Sequence, residues 1–557
     1  MINFDKFLKV KENTTWKEFA VKPLGLTIDF FSVDLAGYCT GWELATQTSS
    51  LTGSTIEELV NAFDEISRSL DFNQVVVVYT EKFKLAYGFL QHYAKERFSN
   101  YYFYIGRIQI RSIEPFIKDT DEIENVIHAR YNSKAKLIAE YMTNMYNSFC
   151  IPDGELYLTN SQIVRKHIKK SLKQYKNQVL EFPTMNNYWL MDLCKLGGIC
   201  YNSFPHVTVD KDIIKADLNS AYIYNLLAKK HKKADAKWIK CDVNEWVDLI
   251  NDDNFIFCGE FEISYICNNH LIGFYSDNYG DKLTTGGNCV KMTLTNVDLK
   301  ILKKLCSKIN IVCTQLIKVE VDYLPKYFTD VIIQEYTKKT TINKDLEPVR
   351  YKCQKKSVNS IFGDCIRDLF TKDDYDAFLK HHYNLPEWGI WTAAYGRELL
   401  LEAALNIECW LYSDTDSIYC TDNKQNREVL ANFNNNVYEH LNRVCKECGY
   451  NFNDLKELGS FDVETGITKF RANCQKQYGY IQNNKFHLVA AGLNQKRAII
   501  SSDDFFNGEL EFPEIIRGVT TSEDSEVTIN GKTYKSHGSY YEVKVSIEAN
   551  MILSTLE

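Results

Sequence analysis

The sequence predicts a mixed fold of the α/β (α+β) class, on three observations. Strand-like apolar runs alternate with helix-spaced stretches along the chain. Hydrophobic residues make up 45% and charged residues 25% of the composition, as in ordinary globular proteins, which excludes disorder, collagen and simple repeat arrays. Chain breakers are scarce, with 26 Gly and 9 Pro against 35 Tyr and 31 Phe, so long ordered elements are favoured over flexible linkers. At 557 residues and 64.7 kDa the chain has room for about three or four domain-sized units. No apolar run reaches the length of a membrane span. Met1 to Val10 carries Asp5, Lys6 and Lys9, unlike a secretory signal. The 17 cysteines are therefore expected to be reduced thiols of a cytoplasmic protein. A net charge of −8 excludes a uniformly basic nucleic-acid coat but leaves room for a local basic groove.

The elements follow in order. The runs Leu26 to Val33, Gln74 to Thr80 and Tyr101 to Ile110 read as strands, and Glu122 to Tyr146 as an amphipathic helix. Next, Arg165-Lys166-His167-Ile168-Lys169-Lys170-Ser171-Leu172-Lys173 reads as a solvated helix face unless nucleic acid is implicated elsewhere. From Lys211 strands and helices alternate. Past Ser501 the chain turns strand-rich, with Asn530-Gly531 as a hairpin signal.

Three segments carry chemistry. In Trp410-Leu411-Tyr412-Ser413-Asp414-Thr415-Asp416-Ser417-Ile418-Tyr419, apolar and aromatic residues flank a tight turn with two acids at its tip. Such carboxylates repel unless a cation or hydrogen-bond donors neutralise them, and hard oxygen ligands suit Mg²⁺ or Mn²⁺. In Asp212-Ile213-Ile214-Lys215-Ala216-Asp217-Leu218-Asn219-Ser220-Ala221-Tyr222, Asp217 ends an apolar run and opens a helix, where Asp also serves as an N-cap. In the segment Lys352 to Gly363, Lys352, Lys355 and Asn359 share one helix face, a surface able to hold a triphosphate or simply to meet solvent.

In this order the three segments resemble motifs A, B and C of family B DNA polymerases. Asp217, Ser220 and Tyr222 match the first motif. Lys355, Asn359, Ser360 and Gly363 match the second, and Tyr412, Asp414, Thr415, Asp416 and Ser417 the third. Lys476-Gln477-Tyr478 is similar to the Lys-x-Tyr motif that follows. Leu458 to Glu464, and Gly197-Gly198 with Lys195 in place of a tyrosine, point to the compact protein-primed phage branch. The resemblance is strong from about Lys195 to Lys496 and weak before it.

What the resemblance implies is a right-hand polymerase with palm, fingers and thumb, behind an N-terminal RNase-H-like exonuclease-type domain. The expected divisions are 1–155 for the exonuclease-like domain, 156–229 and 386–500 for the palm, 329–385 for the fingers and 501–557 for the thumb. An insertion over 230–328, including Thr293 to Phe328, would dock a priming terminal protein. The implied partners are primer-template DNA and deoxynucleoside triphosphates, with the protein a monomer and no membrane involved. Two Mg²⁺ ions, or Mn²⁺ in their place, would clamp the reacting oxygens, held by Asp217, Asp416 and the Leu218 carbonyl. Asp414 either joins them or shapes the turn. Lys355 would neutralise the triphosphate, helped by one of Lys338, Lys339, Arg350 or Lys352. Tyr222 would exclude a 2′-hydroxyl, Ser220 belongs to the same nucleotide motif, and Asn359 and Phe362 would line the base pair. Lys476 and Tyr478 would hold the primer end, while Arg397 and the Gly197-Gly198 loop would contact DNA.

The front end departs from the family. Ala36 follows Asp34 where a glutamate belongs, Thr80 and Lys84 stand for Asn and Asp, and Lys134 stands for another Asp. Lysines in place of acids remove ligands and repel Mg²⁺, so no proofreading is expected. The short connection from Gly363 to Trp388 places strand displacement in question. Cys445 and Cys448 lack a second pair for zinc and read as thiols. No Walker loop is present, against an ATPase. The rivals to a templated polymerase are an untemplated or priming nucleotidyltransferase, and a nucleic-acid-binding defence protein on the same scaffold.

Overall fold

A computed structural model gives the architecture. It describes residues 24–33, 36–70, 76–81, 94–99, 103–104, 108–113, 133–148, 160–175, 178–267, 286–367, 383–490, 501–508, 516–520, 524–529, 532–537 and 540–543, with 83, 86, 87, 90, 271, 274 and 275. Among these residues no helix is long and apolar enough to cross a membrane. The chain forms two compact units: residues 1–163, 338–357 and 515–544 in one, and 164–337, 358–514 and 545–557 in the other.

In the first unit, β1 (Leu24–Val33), β2 (Ala36–Ala45), β3 (Ser50–Gly53), β4 (Val76–Thr80), β5 (Phe98–Ser99), β6 (Phe103–Tyr104) and β7 (Ile108–Ser112) form a seven-stranded mixed sheet. Its order is β3-β2-β1-β4-β7-β6-β5, with β1, β4 and β7 parallel. The parallel β4 reads as an unbroken Val-rich run because both its faces are buried. Helix α1 (Ile56–Ser69) starts in a capping box between Thr55 and Glu58 and turns Leu59, Phe63 and Ile66 into the core. The helix expected over Glu122 to Tyr146 is α2 (Lys134–Ser148); the earlier part of that stretch lies outside the described residues, as do Asp34 and Lys84. At the C-terminal end β21 (Ile516–Thr520) pairs with β24 (Tyr540–Val543). The expected hairpin partners β22 (Asp524–Ile529) and β23 (Lys532–His537) also pair, Ile529 opposite Lys532.

The second unit is built on two sheets. The larger has the order β20 (Lys485–Ala490), β19 (Gln477–Gln482), β18 (Phe461–Cys474), β10 (Ile213–Leu218), β17 (Ser417–Thr421), β16 (Trp410–Asp414), β8 (Cys200–Asn202), with β9 (Thr208–Val209) on β18. The smaller runs β11 (His231–Lys232), β15 (Cys306–Asp322), β13 (Phe255–Cys267), β14 (Gly286–Thr295), with β12 (Ile239–Lys240) on β15, and covers most of the span read as an insertion. The helices used below are α3 (Asn160–Gln174), α4 (Met185–Asp192), α5 (Ala221–Ala228), α6 (Asn296–Leu305), α7 (Lys326–Thr341), α8 (Pro348–Cys365), α9 (Pro386–Ala404) and α10 (Lys424–Cys448). Pro386 opens α9, Asn423 caps the start of α10, and the left-handed Gly449 closes it.

The basic segment is indeed helical, but α3 is not only a solvated face. Val164 and Ile168 enter the core, Arg165 pairs with the buried Asp364 of α8, and His167 contacts the buried Glu335 at 3.1 Å. Lys166, Lys169, Lys170 and Lys173 stay exposed.

Candidate active site

Strand β10 organises the site because its two faces do different jobs. Ile214, Ala216 and Leu218 join the main hydrophobic core. The alternate residues Ile213, Lys215 and Asp217 face the other way, where Ile213 packs in a cluster with Tyr412, Tyr419, Phe470, Tyr478 and Tyr480. Asp217 is therefore a strand residue. The alternative reading of it as an N-cap fails, because the strand continues to Leu218 and the N-cap position of α5 is Ser220, at a left-handed φ of 54° and with no side-chain capping bond.

The two acid-bearing segments are joined where β10 pairs with β17. Asp217 is opposite Ser417, and the Leu218 N–H donates to the Asp416 carbonyl at 2.8 Å, fixing the turn against the strand. On the other side Asp217 is opposite Asp462 of β18. The hairpin β16–β17 turns through two residues, Thr415 and Asp416, with Thr415 at φ 63°, a backbone conformation that β-branched residues rarely adopt. What holds it is the 2.8 Å bond from the Thr415 N–H to the Ile199 carbonyl and the close approach of Gly198. A Cβ on Gly198 would lie 2.6 Å from Thr415 Cγ2 and 2.9 Å from its Cα. Gly197, by contrast, has open space.

Asp414 is wrapped by donors rather than held open. The Cys200 thiol donates to Oδ1 at 3.2 Å, the Thr415 hydroxyl at 3.1 Å, and Lys476 Nζ lies 3.9 Å away. Burial, and then the Asp414 charge, push the Cys200 thiol up to about 12, so it stays protonated and able to donate. The Lys476 N–H donates to the Tyr412 hydroxyl at 2.7 Å. Tyr478 is buried with its ring 4.7 Å from Tyr412, and the Tyr419 hydroxyl donates to it at 3.4 Å. The Lys-x-Tyr segment and the two-acid turn thus share one aromatic cluster.

Tyr222 and Phe362 come together as a parallel stack, 3.9 Å between centroids and 8° between planes. Gly396 borders Tyr222 as well: a Cβ there would sit 3.3 Å from its Cε1. Burial, then the nearby Asp416 charge, push the Tyr222 hydroxyl up to about 12. On α8, Lys355 and Asn359 are exposed one turn apart. Of the four companion cations considered, Lys339 stands out. It is only 8% exposed, and burial together with the Lys355 charge lowers it to about 8.

The expected DNA contact of Arg397 is corrected. Its side chain is fully buried, so it cannot reach nucleic acid. It forms two 2.9 Å bonds with Asp298 of α6 and donates to the carbonyls of Leu196 at 2.7 Å and Gly197 at 2.8 Å. Its work is to hold the Gly197-Gly198 loop on which Thr415 rests.

Sequence reasoning missed Lys215. Its Nζ lies 2.6 Å from Asp217 Oδ2 and 3.0 Å from Glu464 Oε1. Period-two alternation places it on the face of Asp217 and was the available signal. Among the described residues no three His, Cys, Asp or Glu side chains form a closed metal cage, at Cys445 and Cys448 or elsewhere. The Asp217 side chain is 40% exposed and carries the Lys215 ammonium, and carboxylate oxygens are the donor type that hard divalent ions take.

No family model matches the sequence, and no curated protein does. Solved structures do. Phi29 DNA polymerase complexed with primer-template DNA is similar at 13% identity with a TM-score of 0.62, over 94% of this chain and 100% of that one. This chain has the fold of phi29 DNA polymerase. The phi29 complex with primer-template DNA and incoming nucleotides matches at 13% identity and TM-score 0.60, over 94% and 99%. The phi29 complex with single-stranded DNA matches at 13% and 0.61, over 94% and 100%.

Proposed function

We propose that the protein is a template-directed DNA polymerase that adds deoxynucleotides to a primer 3′-hydroxyl. The observation that carries this reading is the joining of the strand that bears Asp217 to the turn that bears Asp416 through the Leu218–Asp416 backbone bond, beside the Tyr222–Phe362 stack. The phi29 structures with DNA and nucleotides support the same partners here. Asp217, Asp416 and the Leu218 carbonyl would hold divalent ions, Mg²⁺ or Mn²⁺, which when bound neutralise charge on the attacking and leaving oxygens. The residues of the chain position the reactants. Tyr222 and Phe362 receive the sugar and base, Lys476 takes the primer strand, and Lys355 is read from its motif as a cation for the triphosphate. Positioning and charge neutralisation are what phosphoryl transfer demands of a protein.

The front end is read as an RNase-H-like domain that no longer proofreads, and the β11–β15 sheet as the place where a protein primer would dock. Primer extension tests the central reading. Wild type should copy a template and Asp416→Ala should not, with a loss on the order of 10³-fold or more. Extension without template would favour a tailing enzyme, and DNA binding without extension in wild type would remove the reading. Covalent nucleotide attachment to an added terminal protein checks the priming mode.

A further inference from the structure

Lys215 has no part in the reading above, yet it touches the acid on which that reading turns. Its ammonium bridges Asp217 at 2.6 Å and Glu464 at 3.0 Å with its side chain only 18% exposed. The strand register makes this arrangement unavoidable. Lys215 and Asp217 are two residues apart on β10, and Glu464 and Asp462 of β18 lie directly opposite them. Like charges so placed repel across neighbouring strands. An internal cation relieves that repulsion at the same carboxylate that a divalent ion would use.

We propose that Lys215 is a positioning residue that holds the Asp217 carboxylate while no divalent ion is bound, and yields it to the ion by shifting onto Glu464. The bond to Glu464 is already made, so the ammonium needs no new partner when Asp217 is taken. Lys215 thereby limits divalent affinity in the free protein and keeps the acid cluster folded without metal. This rests on the assignment of Asp217 and Asp416 as ligands.

Mn²⁺ titration of the DNA-free protein, read by the electron paramagnetic resonance of unbound Mn²⁺, tests it without reference to turnover. Lys215→Met should bind Mn²⁺ about two- to fivefold more tightly, the range of a partly exposed ion pair, and should melt at a lower temperature in chelator. Glu464→Gln should weaken Mn²⁺ binding by a similar factor, because Lys215 then has only Asp217. Binding that Asp416→Asn abolishes but Lys215→Met leaves unchanged or weakens overturns the inference alone. Binding that Asp416→Asn does not alter overturns the ligand assignment and the inference together.

Discussion

Thr415 sits in a left-handed conformation at the tip of a two-acid turn, and its neighbour Gly198 has no room for a side chain. Strain of this kind persists only where the surroundings enforce it. Gly198→Ala is expected to displace the turn and lower kcat on the order of 100-fold while binding DNA normally, which single-turnover extension and a DNA titration would show. Lys339 supplies a second residue-scale expectation. Its folded value of about 8 lies below the unfolded value of 10.5, so the folded protein carries fewer protons between those limits. Stability should therefore rise as pH increases from about 8 to 10.5, and the full penalty, about 3 kcal/mol, applies below pH 8. Lys339→Met should raise the melting temperature at pH 7, and the gain should shrink as pH approaches 10.5. The acids drew notice because paired carboxylates carry their own chemistry, and Tyr222 because its segment resembles a family motif. Lys215, Gly396 and Asp298 were not, since their importance comes from which neighbour the fold brings to them.

Among elements, β10 and the β16–β17 hairpin were legible from pattern: an apolar run ending in acid, and a polar turn between aromatic strands. The alternative of Asp217 as an N-cap shows the limit, because an acid between a strand and a helix can serve either element, and only the backbone tells them apart. Helix α9 shows the same limit for Arg397. The resemblance of its segment to a template-contacting motif implied a DNA contact, whereas tertiary packing buries it against Asp298. Arg397→Met should cost about 3–5 kcal/mol in thermal or urea unfolding, since it leaves the buried Asp298 charge without its cation, with the Tyr275 and Thr295 hydroxyls as its remaining side-chain donors. Adding Asp298→Leu should recover much of that stability. A surface contact to template would instead show weaker DNA binding, unchanged stability and no recovery.

At the scale of the molecule, the mixed class and the polymerase-like arrangement of strands were legible because the motifs fall in one order along the chain. The loss of acids at the front end makes its own expectation: a 3′-labelled single strand should survive incubation with the protein and Mg²⁺. Clear degradation that disappears in Asp34→Ala would show that proofreading is retained. The bracing of Gly197 has a last consequence for anyone wishing to trim this protein. Asp298 comes from the segment between β14 and β15, yet the guanidinium it satisfies belongs to α9 and also grips the Gly197 carbonyl. A shortened version lacking that segment would strand a cation in oil and loosen the floor beneath Thr415. The segment is thus a keystone of the two-acid turn, not a detachable cassette.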